Sequence, residues 1–154
     1  MREAVEPWIG EIISRIVTIW NKKKSNGTLC QNLAITLGRL AFVAPATASE
    51  HLPVVLSPWC VYLSRYRNDP DKLFALRGLM QTCSKNPSAS LHNFGLLMMA
   101  ICTFSRPPQD FAAEVTQFIS GLGSIAGEAW PAVLRHVPKE VKAEMISKAY
   151  VSPF

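Results

Sequence analysis

The sequence is poor in charge and in long apolar runs. Charged residues make up 18% of the 154 residues and hydrophobic residues 49%, so enough apolar surface is present to offset chain entropy and disorder is not expected. The longest nearly apolar stretch, residues 94–104, is too short for a membrane-spanning helix, which needs about 20 residues. The first residues lack the apolar core of a signal peptide. We therefore expect a soluble intracellular protein without a membrane span.

Closely spaced cysteines and other site motifs are also missing. Cys30, Cys60, Cys83 and Cys102 include no Cys-x-x-Cys pair, and no histidine stands at zinc-ligand spacing from them. There is no glycine-rich phosphate loop, and no cysteine–histidine pair with a third orienting group is indicated. We expect buried thiols in a reducing compartment, no metal or cofactor, and no enzymatic activity.

The net charge of +5, from 16 Lys and Arg against 11 Asp and Glu, nominally suggests an acidic partner. The basic residues are scattered over predicted loops and helix faces, however. The short run Lys22–Lys24 is typical of a solvated loop. We therefore predict no nucleic-acid partner.

What the sequence does contain is helical periodicity along most of its length. Apolar residues recur at i, i+3, i+4 and i+7, and no alternating run predicts a strand. The pattern predicts helices at about 6–20, 28–44, 49–66, 69–86, 88–104, 108–127, 128–136 and 138–150. The predicted N-caps are Thr28 with Gln31 as its capping-box partner, Asp69 before Pro70, and Ser88 or Ser90. Pro58 should kink or interrupt its helix, and Gly127 should end one.

The predicted helices form pairs with a regular spacing. Helix starts at Thr28, Asp69 and Pro108 are 41 and 39 residues apart. This period is near the roughly 40–47 residues of HEAT and armadillo units. The pattern favours an all-α solenoid of antiparallel helix pairs, and a single irregular helical bundle remains an alternative.

Several segments resemble the transportin-type β-karyopherins, which are nuclear import receptors of the importin-β family. The resemblance runs from about residue 6 to residue 150, and its specificity comes from the order and spacing of the pieces. They are Gln31–Leu40, Pro58–Cys60, Phe74–Gly78, Asn86–Ser88, Phe118–Gly121 and Gly127–Trp130.

The resemblance implies a right-handed solenoid of HEAT repeats, of which this chain would hold about three. It implies a truncated repeat at 1–20, full repeats at 21–66 and 67–106, and a capping repeat at 107–154. The chain is much shorter than such a receptor, and its basic Lys22–Lys24 loop is not a family requirement. We therefore expect a C-terminal fragment in which Met1 is an expression start.

The family also implies a function. Its members shuttle between cytoplasm and nucleus, contact nucleoporins, carry cargo with a proline-tyrosine nuclear localisation signal, and are unloaded by the GTP-bound form of Ran. The family's Ran and cargo motifs lie in earlier repeats, and no residue of this sequence matches them. Alternatives are a HEAT scaffold module of an unrelated complex and an all-helical enzyme domain, for which no catalytic cluster is found.

Partner-binding candidates come from the second helices of the pairs, at 6–20, 49–66 and 88–104, which the family arrangement places on the concave face. Trp8 lies off the strongest apolar stripe, so we expect it to be partly exposed. The polar candidates on the same face are Glu11, Arg15 and Arg65.

Other residues are predicted to be structural. Trp20 and Trp59 fall on apolar stripes and should be buried. Arg39 and Arg77 each follow or precede a glycine and should join repeats through a loop carbonyl, with Asp69 or Asp71 as a partner of one of them. Because the first helix lacks a pair partner, its 9–20 stripe should leave apolar area uncovered, and we expect either self-association through that end or marginal stability there.

Overall fold

The computed structural model describes the backbone of residues 2–153 and the side chains of residues 5–153. Met1 and Phe154, which fall in the first and last predicted repeats, lie outside the described residues. Over the described range the chain is helical and contains no strand. The α-helices are α1 (Arg2–Trp20), α2 (Gly27–Val43), α3 (Pro45–Ser49), α4 (Leu52–Arg65), α5 (Pro70–Lys85), α6 (Pro87–His92), α7 (Phe94–Cys102), α8 (Gln109–Ala126), α9 (Trp130–Arg135) and α10 (Lys139–Ser147), with a 3-10 turn at Gly127–Ala129.

The long helices stack in two layers. α2, α5 and α8 follow one another in the first layer, and α1, α4, α7 and α10 follow one another in the second. In chain order each helix of the first layer is followed by one of the second, α2 by α4, α5 by α7 and α8 by α10, and α2 packs directly on α4. The predicted all-α HEAT-type solenoid is confirmed, and the single bundle is not found. The repeat boundaries and the right-handed sense stay predictions.

Each of the first two pairs contains an extra short helix that the periodicity did not predict. The helix predicted at 49–66 corresponds to α4, with α3 as an additional helix before it, whereas the single helix predicted at 88–104 is wrong, because α6 and α7 divide that range. Both short helices begin with a proline, Pro45 or Pro87, which is favoured at a first helical position. The residues before them have nearly the same backbone angles, φ −135° and ψ 71° at Ala44 and φ −134° and ψ 76° at Asn86. The repeat is therefore visible in the backbone where the sequence has diverged.

The helix caps agree only in part with the prediction. Asp69 caps α5 as expected, since its carboxylate accepts the Lys72 N–H at 2.9 Å, and Gly127 ends α8 with φ 54°. The caps predicted at Thr28 and at Ser88 or Ser90 are wrong. Asparagines perform both tasks, because the side chain of Asn26 accepts from the first turn of α2 and that of Asn86 accepts from the first turn of α6. An asparagine one residue before the start of a helix has the reach that this cap requires.

Pro58 lies inside α4 without interrupting it. The break predicted there falls instead at residues 50–51, between α3 and α4. A proline leaves the carbonyl four residues earlier without its helical donor. Here that carbonyl belongs to Val54, whose side chain is 61% exposed, so this part of the helix faces solvent. Water can satisfy the group that Pro58 leaves free.

The closest approach between repeats is at glycines of α2 and α5. A Cβ on Gly78 would lie 2.1 Å from the carbonyl oxygen of Gly38, and a Cβ on Gly38 would lie 2.4 Å from the Cβ of Ala75. Both distances are shorter than real carbon contacts allow. The two helices therefore cross with their backbones in contact, which only glycine permits at these two positions.

Two tryptophans anchor the core, as predicted. Trp59 is completely buried and donates from Nε1 to the carbonyl oxygen of Ala34 at 2.9 Å. Trp20 is 7% exposed and donates from Nε1 to the carbonyl oxygen of Cys30 at 3.2 Å. Both bonds join a second-layer helix to α2, so each indole fixes the spacing of the layers.

The expectation that the apolar stripe of the first helix stays uncovered is wrong for its main residues. Ile9, Ile13, Ile16 and Trp20 are buried against α2, α3 and α4. The following pair alone covers this face, because α1 lies beside α4 and closes the core from one side. Trp8 is the large apolar side chain of α1 that remains mostly exposed, at 61%.

Arginines link successive repeats in the first layer. Arg39 pairs with Asp71 at 2.5 Å, which is one of the two partners predicted. Arg77 pairs with Asp110 at 2.6 Å and with Glu114 at 2.9 Å, both on the next first-layer helix. The predicted loop carbonyl is therefore wrong for both arginines. Carboxylates one repeat further along the chain are the partners, since α2, α5 and α8 lie side by side.

The four cysteines are free and buried. Burial raises the pKa of Cys83 and Cys102 to about 12, so both stay protonated thiols near neutral pH. They therefore act as small apolar groups in the helix interfaces. Among the described helices, none combines the length and the apolar character that crossing a membrane requires.

Candidate functional site

The most distinctive surface feature is a groove between α1 and α4 in the second layer. The two helices run in the same direction, because successive contacts advance along both. Gly10 lies against the His51 ring, where an added Cβ would be 3.5 Å from Nε2, and the Trp20 ring lies 5.5 Å from the Tyr62 ring. We call this cleft the α1–α4 groove; its lining is Ile13, Ser14, Val17, Trp20, Asn21, His51, Val54, Val55, Ser57, Pro58, Val61 and Tyr62.

The α1–α4 groove consists of two hollows. The smaller, of about 200 Å³, lies at the start of α4 around His51 and Val55. The larger, of about 340 Å³, lies between Trp20 and Tyr62. Val17 and Val54 line both hollows and form the low ridge between them. The smaller hollow lies below the roughly 300–1,000 Å³ of typical small-molecule sites, and the larger lies at the lower end of that range.

The two ends of the groove differ in charge. Lys22, Lys23 and Lys24 are exposed in the turn that follows Asn21, and Arg65 is exposed one turn beyond Tyr62. None of these four cations is in an ion pair with a carboxylate among residues 5–153. At the other end His51 is preceded by the exposed Glu50. The larger hollow therefore opens toward positive charge.

The pKa of Tyr62, which lines the larger hollow, depends on several groups near it. Burial raises the pKa of Tyr62, and the neighbouring Cys30 adds to that rise. Ser25 of the lysine turn and Arg65 act in the opposite direction by favouring the phenolate. Arg65 thus lies within electrostatic reach of the groove wall, and the turn that carries the lysines touches it through Ser25.

The predicted partner-binding residues are not gathered in one place. Trp8, Glu11 and Arg15 share one side of α1, where Arg15 and Glu11 form an exposed ion pair at 2.5 Å. At 100° per residue Trp8 and Arg15 lie more than a quarter turn away from Ser14 and Val17, which line the groove, whereas Glu11 lies about 60° from Ser14. Arg65 alone lies at the groove, at its basic end. The role of all four residues in binding stays a prediction.

Sequence reasoning missed the groove itself. Its walls come from residues about 40 positions apart, and a single chain pattern does not reveal that α1 and α4 are neighbours. One signal was available, since Val54 and Val61 stand on an otherwise amphipathic helix but outside its buried stripe. Apolar residues off the core stripe are typical of a surface that meets something else.

Metal ligands are not clustered in the described part of the chain. No three side chains of His, Cys, Asp or Glu come together among residues 5–153 as a metal site would require. The remaining hollows lie between α8 and α9, between α7 and α10, and between α5 and α8. The described helices thus leave shallow hollows between neighbours in addition to the α1–α4 groove.

Stacked helix pairs and an interhelical groove define the chain as a HEAT-type α-solenoid, a class that binds other macromolecules through the surfaces of its repeats. No protein-family model matches the chain. Several curated proteins are similar to it. Transportin-1 of Homo sapiens and of Mus musculus are 28% identical to it over 142 residues, which are 92% of this chain and 16% of theirs. Importin subunit beta-2 of Schizosaccharomyces pombe is 25% identical over 138 residues, covering 86% of this chain and 15% of that protein.

The chain is thus similar to the transportin-type karyopherins over nearly its whole length, and the resemblance seen in the sequence is confirmed. The chain spans only about one sixth of the length of these relatives, since the matched residues make up 14 to 16% of each relative.

Proposed function

We propose that the chain is a segment of a transportin-like nuclear import receptor, and that it acts by binding rather than by catalysis. In this role it would continue the HEAT solenoid of the receptor and support the repeats that hold cargo. The observation that carries the proposal is the similarity to transportins and importin subunit beta-2 along most of the chain. The stacked helix pairs support it, since they are the architecture such a receptor needs.

The partners in this proposal belong to the whole receptor. They are cargo proteins with a nuclear localisation signal, the GTPase Ran, and nucleoporins met during passage through the pore. The receptor would shuttle between cytoplasm and nucleus. Trp8, Glu11, Arg15 and Arg65 are the contact residues that this chain would contribute.

The proposal is tested on the protein that carries this chain in its source cells. An antibody raised against the 154-residue chain is used to purify that protein, whatever its length. The purified protein is applied to an immobilised proline-tyrosine signal peptide and then washed with Ran loaded with a non-hydrolysable GTP analogue. Ran loaded with GDP is the matched control.

We expect retention on the peptide, release by GTP-loaded Ran, and no release by GDP-loaded Ran. A protein that neither binds the peptide nor GTP-loaded Ran would contradict the import function. Stable co-purification of an unrelated set of subunits, with no Ran binding, would instead identify the scaffold role.

A further inference from the structure

The α1–α4 groove is suited to a short extended peptide. On α4 the smaller hollow is lined by His51, Val54 and Val55 and the larger by Val54, Ser57, Pro58, Val61 and Tyr62, so the mean positions of the two sets are about five residues apart. At about 1.5 Å per residue along a helix the hollows are therefore roughly 7 Å apart. Alternate side chains on one face of an extended strand are separated by nearly the same distance, about 6.6 Å.

The lining of the hollows favours apolar side chains. Val17, Val54 and Val61 present methyl groups, and Trp20 and Tyr62 form the walls of the larger hollow. Val54, on the ridge between the hollows, is 61% exposed, which is unusual for a valine in a packed helix layer. Covering these side chains removes apolar area from water, which is the main driving force for such binding.

The charges around the groove determine which residues of a bound peptide are favoured next to its apolar side chains. Lys22, Lys23 and Lys24 follow Asn21 of the larger hollow, Arg65 lies near its Tyr62, none of the four forms an ion pair with a carboxylate among residues 5–153, and no carboxylate lines either hollow. Glu50 and His51 are at the far end. An acidic stretch is therefore attracted at the lysine end only, which also gives the bound segment one direction.

We propose that the α1–α4 groove binds an extended segment of a partner protein that carries two apolar side chains in an i, i+2 arrangement followed by acidic residues. The apolar pair fills the two hollows, and the acidic residues lie against the lysine turn and Arg65. This inference goes beyond the import function and does not depend on it, since a cargo signal rich in basic residues is not what this end of the groove attracts.

The probe is a fluorescein-labelled synthetic peptide with two leucines separated by one serine and followed by three acidic residues. Its binding to the 154-residue chain is measured by fluorescence anisotropy at low and at physiological salt. Two control peptides are used, one with serines in place of the leucines and one with lysines in place of the acidic residues. We expect saturable binding of the probe that weakens with salt, and affinities at least tenfold lower for both controls.

Variants of the chain locate the binding. Val54→Glu should weaken binding of the probe at least tenfold, whereas Ile125→Glu should leave it unchanged. Ile125 is the matched control because it is also 61% exposed and lies on α8, away from the groove. Charge reversal with Lys22→Glu/Lys23→Glu should likewise weaken binding of the probe. The control reverses two charges elsewhere, at Arg135 in α9 and Lys139 in α10, and should leave binding unchanged. Circular dichroism melts of each variant establish that it is folded.

Several results would overturn the proposal. One is no saturable binding of the probe; another is equal binding of the lysine-tailed peptide. A folded Val54→Glu variant that binds like the unmodified chain would exclude this groove. A rise in mass of the chain alone that Val54→Glu abolishes would mean that a second copy, and not a partner peptide, occupies it.

Discussion

At the scale of single residues, the most unusual side chain is Lys72. It is 1% exposed, and its Nζ donates to the carbonyl oxygen of Tyr66 at 2.9 Å. Burial lowers the pKa of Lys72 to about 8, and the nearby Asp69 carboxylate acts in the opposite direction. At this position the unfolded chain, with an ordinary lysine pKa near 10.4, therefore binds more protons than the folded chain between about pH 8 and pH 10. The contribution of Lys72 to stability must become more favourable across that window as the pH rises, whereas the buried cysteines, whose pKa is raised, contribute with the opposite sign.

The prediction concerns the variant Lys72→Met, which keeps the apolar stem and removes the titrating group. The unfolding free energy of the unmodified chain should increase relative to that of Lys72→Met by at most about 1.4 kcal/mol per pH unit above pH 8. Urea unfolding of both proteins at pH 7, 8, 9 and 10 measures this. The cysteines and tyrosines also titrate in this range, but they do so in both proteins and leave the difference unaffected. A difference that is constant with pH would show that Lys72 titrates normally.

At the scale of the elements, the contact between α2 and α5 depends on Gly38 and Gly78, because a glycine has no Cβ. A methyl group on Gly78 would overlap the Gly38 carbonyl, whose atoms belong to a helix backbone and cannot move aside. Gly78→Ala should therefore lower the free energy of unfolding by about 3 kcal/mol. Gly121→Ala is the matched control, since no atom lies within 4 Å of a Cβ there and alanine is the better helix former.

Gly121→Ala should be neutral or stabilise the chain by up to about 1 kcal/mol. Thermal and urea unfolding of the two variants measure the contrast. Equal effects of the two substitutions would mean that the helices are not in backbone contact at Gly38 and Gly78.

The elements also show how far the sequence alone could go. Periodicity predicted the long helices, and Asp69 before Pro70 predicted the start of α5, because these signals act within a few residues. It did not predict α3 and α6, because a proline inside a loop signals a break but not the short helix that follows it. The groove and the partners of Arg77 could not be predicted from the sequence, for a different reason. They join residues 33 to about 40 positions apart and exist only once the repeats are stacked.

At the scale of the whole molecule, the question is whether copies of the chain associate. Most of the α1 stripe is buried, so the strong self-association expected from the sequence loses its main support. Trp8 remains as an exposed aromatic side chain near the start of the first helix. We expect weak association at high concentration, which Trp8→Ser should reduce. Ile125→Ser is the control, because both side chains are 61% exposed.

Light scattering over a hundredfold range of concentration measures the average mass of the three proteins. If the average mass of the unmodified chain does not change with concentration, association through Trp8 is excluded. An equal reduction by Ile125→Ser would mean that general exposure of apolar surface, rather than α1, is responsible.

The contact at Gly38 and Gly78 has a consequence for the shape of a longer solenoid. The rotation from one repeat to the next accumulates along a repeat protein and sets its curvature. The first layer is drawn together at these glycines, where the backbones of α2 and α5 touch. Two missing methyl groups therefore bias the bend of the superhelix at this point, and a substitution there would displace repeats far from the site of the change.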